Sequence, residues 1–398
     1  MSWNKDSQKW RRVSIMNFEF TDEELMLKKT IKKLTREVLE PAIEEFGYDK
    51  PFTKEFVLRM FKEVKPFGFL GTTIPEEQGG AGLDIKTWAL MYEELPYELK
   101  GYLGISPNMA RTIAERGTEY HKQKFLPGLL SGDKIACSAN TEPNVGSNPS
   151  EIQTTAVLDG EHYVINGTKT FITNGNLADY ISVAVSFDRS KGGKGIGLIL
   201  IDREDTPIES RRIQLMGFNQ GDLAELYFDN VRVPKENLIV PEGDGYKSKL
   251  KGFHAWRCFV ATDANSLAEK ALNYSLQYVK EREQFGKKIG SFQLIQEMLA
   301  DMKTELDASK LLTYRALDMV NKGKHCRIET SMAKQFATEM AVRVTSKAIQ
   351  IHGAYGLTSE FPVERLFRNA KILTIPEGTT QIQKLVMGRE LTGISAFR

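Results

Sequence analysis

The spacing of apolar residues predicts a helical first third of the chain. Thr21-Asp-Glu-Glu24 is a capping box, in which a hydroxyl and a carboxylate satisfy free backbone N–H groups at a helix start. It opens a segment whose apolar residues recur with the period of one helix face: Leu25, Ile31, Leu34, Val38 and Ile43. Comparable segments cover residues 54–64, 85–95 and 120–130. We therefore predict an N-terminal helical domain over residues 17–132.

Near residue 135 the apolar period changes from 3.6 to 2. Short runs rich in β-branched and aromatic residues occupy residues 154–158, 162–165, 170–173, 181–187, 196–201 and 224–228. The turn pairs between them are Asp159-Gly160, Asn166-Gly167 and Asn174-Gly175. This pattern predicts a middle antiparallel β domain over residues 133–244, barrel-like or a sandwich.

A glycine-rich run, Gly192-Gly193-Lys194-Gly195-Ile196-Gly197, lies inside this β region. It leads into a strand, whereas a phosphate-binding loop leads into a helix. We therefore interpret the run as a mobile hairpin turn.

Helical periodicity returns after Gly245 and continues to the end of the chain. Long amphipathic segments cover residues 255–282, 292–321 and 328–352. Such lengths are typical of a helix bundle, which we predict over residues 245–398. The predicted fold class is mainly α, with a β domain between two helical domains.

Composition excludes several classes of protein. Among 398 residues, 54 Lys and Arg balance 52 Asp and Glu, and the charges are interleaved, so we expect neither a nucleic-acid partner nor an acidic membrane surface. No stretch approaches 18 consecutive apolar residues, so we expect no transmembrane helix. The three cysteines are far apart and form no C-x-x-C pair, which favours a reducing compartment: Cys137, Cys258 and Cys326.

The first 15 residues are basic but lack the apolar core of a secretory signal. They are also short and poor in serine for a mitochondrial transit peptide. We expect a frayed extension and a cytoplasmic protein, in preference to one of the mitochondrial matrix.

Metal sites and the usual dinucleotide fold find little support in the sequence. None of the five histidines lies in an H-x-x-x-H or H-x-E motif, so we expect structural roles and no metal: His121, His162, His254, His325 and His352. No G-x-G-x-x-G follows a strand within alternating β and α units. A nucleotide here would be held in another way.

Three polar clusters have both a structural and a functional interpretation. Residues 138–148 form a donor-rich loop between the helical and β regions. Arg282-Glu-Gln-Phe-Gly286 ends a helix, where a glycine is a common stop signal. Residues 375–381 place a carboxylate before the last helix, where an acid also stabilises the helix dipole by about 0.3 to 1 kcal/mol.

Taken together and in order, these clusters resemble the acyl-CoA dehydrogenase family of flavoenzymes. The resemblance covers residues 18–397 and depends on seven motifs. These are Ile74-Pro-Glu-Glu-Gln-Gly-Gly80, Thr141-Glu-Pro143 with Gly146-Ser147, Asn166-Gly-Thr-Lys-Thr-Phe-Ile-Thr173, Phe228-Asp-Asn-Val-Arg-Val-Pro234, Arg282-Glu-Gln-Phe-Gly286, Gln350-Ile-His-Gly353 with Tyr355-Gly356, and Glu377-Gly378-Thr379.

The resemblance implies a C-terminal four-helix bundle, a homotetramer and bound FAD. Phe171 matches the aromatic residue beside the flavin ring, and Arg282 matches a residue that reaches the FAD of a neighbouring subunit. The full set of implied FAD-binding residues is Ser138, Thr141, Phe171, Thr173, Arg282, Gln284, Phe285, Gln293, Gln350, Thr379 and Gln381. Those implied on the substrate side are Ser147, Trp256, Arg257 and Arg389, of which the arginines suit the phosphates of CoA.

By the same resemblance, Glu377 is the catalytic base. It would remove the α-proton of an acyl-CoA while a hydride passes from the β-carbon to flavin N5, giving a 2,3-enoyl-CoA. Some relatives carry the base just before the CoA-side arginine, but here that residue is Trp256, which cannot act as a base. The electron acceptor would be an electron-transfer flavoprotein or a similar protein.

The substrate is less well defined, because the sequence departs from the family pattern at Asn140, Asn148, His254, Ala354 and Pro376. Local similarity is greatest to glutaryl-CoA dehydrogenases, yet the arginine that binds their distal carboxylate has no clear counterpart, and Lys100 is one position away. A buried carboxylate without a cation is costly. We therefore expect an uncharged acyl group.

Trp256 and Pro376 suggest a compact pocket for a short, branched or alicyclic acyl group. The alternative is that Trp256 simply packs in the bundle core. A glutaryl-type enzyme, another flavin reaction such as monooxygenation or enoyl-CoA reduction, and a non-catalytic helical interaction protein remain as alternative functions.

Overall fold

The computed structural model describes residues 20–396, except the side chains of residues 246–253. The predicted N-terminal extension therefore lies outside the described residues. The N-terminal region is helical, as predicted, and the capping box at Thr21 is formed. Its helices are α1 (Asp22–Leu34), α2 (Glu40–Phe46), α3 (Lys54–Val64), α4 (Ile85–Glu93), α5 (Tyr97–Arg116) and α6 (Glu119–Ser131).

Helix α5 is a helix of the N-terminal region that the periodicity did not predict. It contains Gly101, Gly104 and Pro107, which are poor helix formers, and most of its side chains are buried. A helix buried on several sides has no polar stripe to mark its period. The small residues let α5 approach its neighbours: a Cβ on Gly104 would lie 3.1 Å from the indole of Trp256.

The middle region is one sheet of eight strands, seven of them in the order β6-β7-β3-β2-β4-β5-β8, with β1 paired in parallel to β4. Most other pairs are antiparallel, as predicted. The strands are β1 (Ala136–Ala139), β2 (Thr155–Asp159), β3 (His162–Thr173), β4 (Tyr180–Ser186), β5 (Ile196–Asp202), β6 (Glu209–Arg212), β7 (Leu223–Pro234) and β8 (Leu238–Val240).

The sheet stays open instead of closing into a barrel, since β6 and β8 are its edges. Strands β4 and β5 are buried on both faces, which explains their continuous apolar sequence. One face packs on α5 and α6, where Tyr180 meets Phe125 with ring centroids 5.1 Å apart. The other face packs on the remaining strands through Val183 and Ile199. Helices therefore cover the face of β4 and β5 that points away from the strand-lined core.

The hairpin prediction at Asn166-Gly167 is wrong, because both residues lie inside the long strand β3. The pairing with β7 shifts register between Ile165 and Gly167, which marks a bulge. A Cβ on Gly167 would lie 2.5 Å from the hydroxyl of Thr154, so glycine is needed there for close backbone approach. The predicted turn at residues 192–197 does join two paired strands, β4 and β5.

The C-terminal region is a helix bundle in which α9 packs against four other helices, α7, α8, α10 and α11. These helices are α7 (Gly245–Glu281), α8 (Gln293–Asn321), α9 (Arg327–His352), α10 (Val363–Ile372) and α11 (Thr380–Thr392). Between α7 and α8 lies a small hairpin of β9 (Glu283–Gln284) and β10 (Lys287–Lys288).

Within residues 20–396, no helix is long and apolar enough to cross a membrane. The same residues contain no group of three or more His, Cys, Asp or Glu side chains placed to hold a metal. All three cysteines are free and buried.

Candidate active site

The loop after β1 is anchored along β3 by a buried ion pair. The backbone N–H of Thr170 donates to the carbonyl of Thr141 at 2.9 Å. Glu142 accepts from Lys169 Nζ at 2.8 Å and from the N–H groups of Gln153 and Thr154 at 2.7 and 2.9 Å. Burial lowers the pKa of Lys169 to about 8, although Glu142 opposes the shift. The glutamate of the Thr-Glu-Pro motif therefore positions Thr141.

The end of β3 carries an exposed aromatic residue, Phe171, and a threonine two residues later, Thr173. Phe171 is 58% exposed and has φ 56°, a left-handed conformation that is unusual for a bulky residue. Thr173 lies against α5, where a Cβ on Gly101 would be 3.2 Å from its methyl carbon. Asn174 holds the turn beyond, since its side chain donates to the carbonyl of Ala136 at 3.1 Å. Thr141, Phe171 and Thr173 are thus brought together, with the exposed Ser138 on the adjacent β1.

Glu377 lies in the turn between α10 and α11, with φ 57°. The amide of Gln383 donates to the carbonyls of Glu377 and Gly378 at 3.0 and 2.8 Å. Lys334 on α9 donates to the carbonyls of Thr374 and Gly378 at 3.1 and 3.0 Å. A buried amide and a buried ammonium therefore hold the backbone of this turn.

The side chain of Thr379 caps α11 by accepting the N–H of Ile382 at 3.3 Å. Thr379 is therefore the N-cap of that helix, so the side-chain cap comes from a hydroxyl and not from the carboxylate of Glu377.

Arg257 is the cation on α7 that faces the same turn. It is only 7% exposed and donates to the hydroxyl of Ser331 at 3.2 Å. Burial lowers its pKa, while the nearby charge of Glu377 opposes the shift. Contact with CoA phosphates, implied by the resemblance, requires an exposed guanidinium, and in this structure Arg389 on α11 is exposed while Arg257 is not.

Trp256, the neighbour of Arg257, packs between the N-terminal helices and the bundle. Its ring lies edge-on to Trp88 and Phe259, with ring centroids 6.1 and 5.1 Å away. The ring also occupies the space beside Gly104, where a side chain would clash with it. The bulk of the indole thus lies between α5 and α7.

Lys100 on α5 is already paired. Its ammonium is 3.2 Å from the carboxylate of Asp263 and donates to the hydroxyl of Ser266 at 2.9 Å. Both partners lie on α7. This lysine is therefore engaged within the protein and does not supply a free cation for a substrate carboxylate.

The hairpin at the end of α7 extends from the bundle with exposed side chains. Phe285, at its tip, is 92% exposed and has φ 51°. The guanidinium of Arg282 lies 5.7 Å from the ring centroid of Tyr355. Several other residues implied as binding groups are also exposed, distributed over the β domain and the bundle: Ser147, Gln284, Gln293, Gln350 and Gln381.

A loop of the β domain around Phe218 connects α5 with α10, and sequence patterns do not predict this connection. The N–H of Phe218 donates to the side chain of Asn369 on α10 at 2.7 Å, and its ring meets Tyr97 on α5 at 5.3 Å. Phe218 has φ 57°, and a Cβ on Gly221 would lie 2.2 Å from its ring. The only local sign of this loop in the sequence is the pair of glycines around it, Gly217 and Gly221. Lys169 lies inside the motif of residues 166–173, whereas no sequence signal marks Lys334 or Gln383.

Three family models together match most of the chain. Family models for the acyl-CoA dehydrogenase N-terminal, middle and C-terminal domains match residues 21–133, 137–231 and 243–392.

Curated relatives match at nearly full length. An acyl-CoA dehydrogenase of Bacillus subtilis is 36% identical over 381 residues, 94% of this chain and 99% of the relative. A short-chain-specific acyl-CoA dehydrogenase of Clostridium acetobutylicum is 36% identical, covering 94% and 100%. A caffeyl-CoA reductase-Etf complex subunit, CarC, of Acetobacterium woodii is 35% identical, covering 92% and 98%.

Solved structures share the fold. Butyryl-CoA dehydrogenase from Megasphaera elsdenii has a TM-score of 0.88 at 35% identity, covering 94% of this chain and 100% of its own. A glutaryl-CoA dehydrogenase in complex with glutaryl-CoA has a TM-score of 0.89 at 31% identity, covering 96% and 98%. PigA with FAD and proline has a TM-score of 0.88 at 26% identity, covering 94% and 99%.

Fold and site together define a three-domain flavoprotein oxidoreductase. The chain belongs to the acyl-CoA dehydrogenase family. Membership argues against the non-catalytic interaction protein considered above.

Proposed function

We propose that the protein is an FAD-dependent dehydrogenase that converts a short, branched or alicyclic acyl-CoA into its 2,3-enoyl-CoA. The main support is the turn at Glu377, whose backbone has a left-handed conformation and is held through its carbonyls by the buried side chains of Lys334 and Gln383, beside Arg257. Trp256 occupies the alternative position for a base. The presence of Glu377 favours dehydrogenation over other flavin reactions.

The residues present fit FAD by the chemistry of their donors. Phe171 offers an exposed aromatic ring, and hydroxyls are available on Thr173 of the same strand and on Thr141 of the loop bonded to that strand. Arg282 offers an exposed guanidinium, which suits a pyrophosphate, and Gln284 and Gln293 offer exposed amides. When bound, the flavin supplies the hydride acceptor. The remaining set proposed for FAD is Ser138, Phe285, Gln350, Thr379 and Gln381.

The chain's own contribution to the reaction is proton removal by Glu377. A carboxylate is a weak base in water, and a bound acyl chain would exclude water from it. Desolvation raises the pKa of a carboxylate and makes it a stronger base toward the weakly acidic α-proton. Arg257 and Lys334 keep cationic charge close to the carboxylate while it is ionised.

The packing of Trp256 supports a small acyl group, because the indole fills the space between α5 and α7. The pairing of Lys100 with Asp263 and Ser266 supports an uncharged one. Two of the similar proteins are named for short-chain and butyryl substrates. A glutaryl-type dehydrogenase is the second candidate, since a glutaryl-CoA dehydrogenase shares the fold.

For the electron acceptor we propose an electron-transfer flavoprotein, because the Acetobacterium woodii relative is a subunit of a reductase-Etf complex. That relative's name also keeps the reverse direction, enoyl-CoA reduction, as an alternative.

A homotetramer is proposed from the family resemblance, and four large apolar side chains exposed on the C-terminal region are available to a subunit interface: Phe285, Leu294, Leu391 and Ile394. On the substrate side we propose Ser147, Trp256 and Arg389.

A cytoplasmic location is proposed from the three free cysteines.

Anaerobic mixing of the yellow enzyme with separate acyl-CoAs tests the substrate. We expect butyryl-, isovaleryl- and cyclohexanoyl-CoA to bleach the flavin absorbance faster than palmitoyl- or glutaryl-CoA does. A preference for palmitoyl-CoA would contradict the compact pocket, and a preference for glutaryl-CoA would favour the second candidate.

A further inference from the structure

We propose that Lys334 is a positioning residue that fixes Glu377 for proton removal and stabilises its ionised carboxylate. This inference rests on the proposed role of Glu377 as the base. It concerns a buried lysine that belongs to none of the motifs described above.

Lys334 holds the base turn at both ends. Its side chain is fully buried, and its ammonium reaches the carbonyl before the turn, at Thr374, and the carbonyl just after Glu377, at Gly378. A further hydrogen bond joins the same helix to the start of α11, because the carboxylate of Glu339 accepts a hydrogen bond from the hydroxyl of Thr380 at 2.7 Å. Helix α9 is thus the platform on which the turn is built.

The turn needs such support because its backbone is strained. Glu377 has φ 57° and Gly378 has φ 91°, and the first of these is unfavourable for a residue with a Cβ. Released from its contacts, the peptide at Glu377 would relax toward ordinary φ values and carry the carboxylate away. Gln383 opposes the same relaxation through the carbonyls of Glu377 and Gly378.

Holding backbone carbonyls in place does not require a charged donor such as the ammonium of Lys334. Gln383 binds one of these two carbonyls, that of Gly378, with a neutral amide, without the cost of burying an ion. Burial lowers the pKa of Lys334 to about 8, and Arg257 pushes it the same way, whereas Glu377 and Glu339 oppose the shift. A cation retained in this place is suited to stabilising the carboxylate of Glu377.

The test compares Lys334→Met and Gln383→Leu in the full-length, flavin-loaded enzyme. Each variant loses hydrogen bonds to the backbone carbonyls of the turn, but only Lys334→Met also loses a positive charge. We expect both to lower kcat by roughly 10- to 100-fold with a smaller change in KM, as misplacement of a catalytic group does. Only Lys334→Met should also move the acid limb of the kcat/KM profile, by about one pH unit toward higher pH, because a carboxylate without its cation ionises less readily.

Lys334→Gln, which keeps donors for both carbonyls, should recover part of kcat and keep the shifted acid limb. An acid limb that is unchanged in both lysine variants would overturn the proposal, and so would failure of both variants to fold, which would assign the lysine to stability. Glu377→Gln separates the two claims. Substantial turnover in that variant contradicts the base itself, whereas an inactive Glu377→Gln with an unshifted Lys334→Met contradicts only the role of Lys334.

Discussion

In the part of the chain that the structure describes, six residues other than glycine have positive φ. Two are asparagines, which tolerate that conformation, and the other four are Phe171, Phe218, Phe285 and Glu377. All four belong to the candidate site or to the loop that joins its parts. Strained backbone at a bulky residue persists only where surrounding contacts impose it, so these four positions support the hypothesis of a functional site here.

Trp256 is the residue that we expect to limit the length of the acyl chain. Trp256→Gly should open the space between α5 and α7 and extend activity toward longer acyl-CoAs. The lost ring contacts should cost roughly 2 to 4 kcal/mol of unfolding free energy, since truncating a core aromatic costs about 3 to 5 and this ring is partly exposed. Relative kcat/KM for butyryl- and octanoyl-CoA measures the effect, and Trp256→Phe, which keeps an aromatic ring, is the control. Unchanged selectivity in Trp256→Gly would mean that the indole only packs.

Among the secondary-structure elements, the hairpin of β9 and β10 is unusual in having almost nothing of its own chain around it. Its tip residue, Phe285, is nearly fully exposed, and its backbone pairs only two residues with two. A hairpin this short is marginal in isolation. We expect it to be completed by contacts with FAD and a neighbouring subunit.

Arg282→Ala should therefore weaken FAD retention and tetramer formation together. Losing a charge-assisted contact to a phosphate costs roughly 1.5 to 3 kcal/mol, which is a factor of ten or more in affinity. The flavin-to-protein ratio after gel filtration, with the elution volume, reports both effects. Arg36→Ala, which removes an exposed arginine at the far end of the chain, should change neither. A tetramer that keeps its full flavin content despite Arg282→Ala would contradict the role of this arginine.

Elements whose signals are local could be predicted from the sequence. Helix α3 begins and ends at the predicted residues, because its cap at Thr53 and its apolar face lie within its own segment. The bulge at Gly167 could not, since the atom that distinguishes it from a turn is the hydroxyl of Thr154, on another segment. Likewise, family motifs indicated Glu377, but a buried lysine such as Lys334 looks in sequence like any surface lysine on a helix.

At the scale of the whole molecule, the two helical domains share one apolar core. Its members come from α1, α3, α4 and α5 as well as from α7, α8, α9 and α10, whereas the sheet packs around two separate clusters. The pair of Lys100 and Asp263 crosses this shared interface. The N-terminal helices and the bundle should therefore unfold together.

Lys100→Met should destabilise the whole protein by roughly 3 to 5 kcal/mol, because it leaves Asp263 buried without its cation. Burial already raises the pKa of Asp263 to about 6, so the isolated carboxylate would be costly at neutral pH. The double variant Lys100→Met with Asp263→Asn, which has no charge at either position, should recover most of the loss. Urea unfolding at pH 7 followed by far-UV circular dichroism measures both. Equal stability of the single variant and the wild type would show that the pair contributes little.

The most direct test of the account is the rate at which Glu377→Gln loses its flavin absorbance after anaerobic mixing with butyryl-CoA. The amide keeps the shape of the side chain and removes the base. The variant should keep its yellow colour and bind the acyl-CoA, yet bleach roughly 10²- to 10⁴-fold more slowly than the wild type, the usual contribution of a general base. Bleaching at near the wild-type rate would contradict the assignment of Glu377.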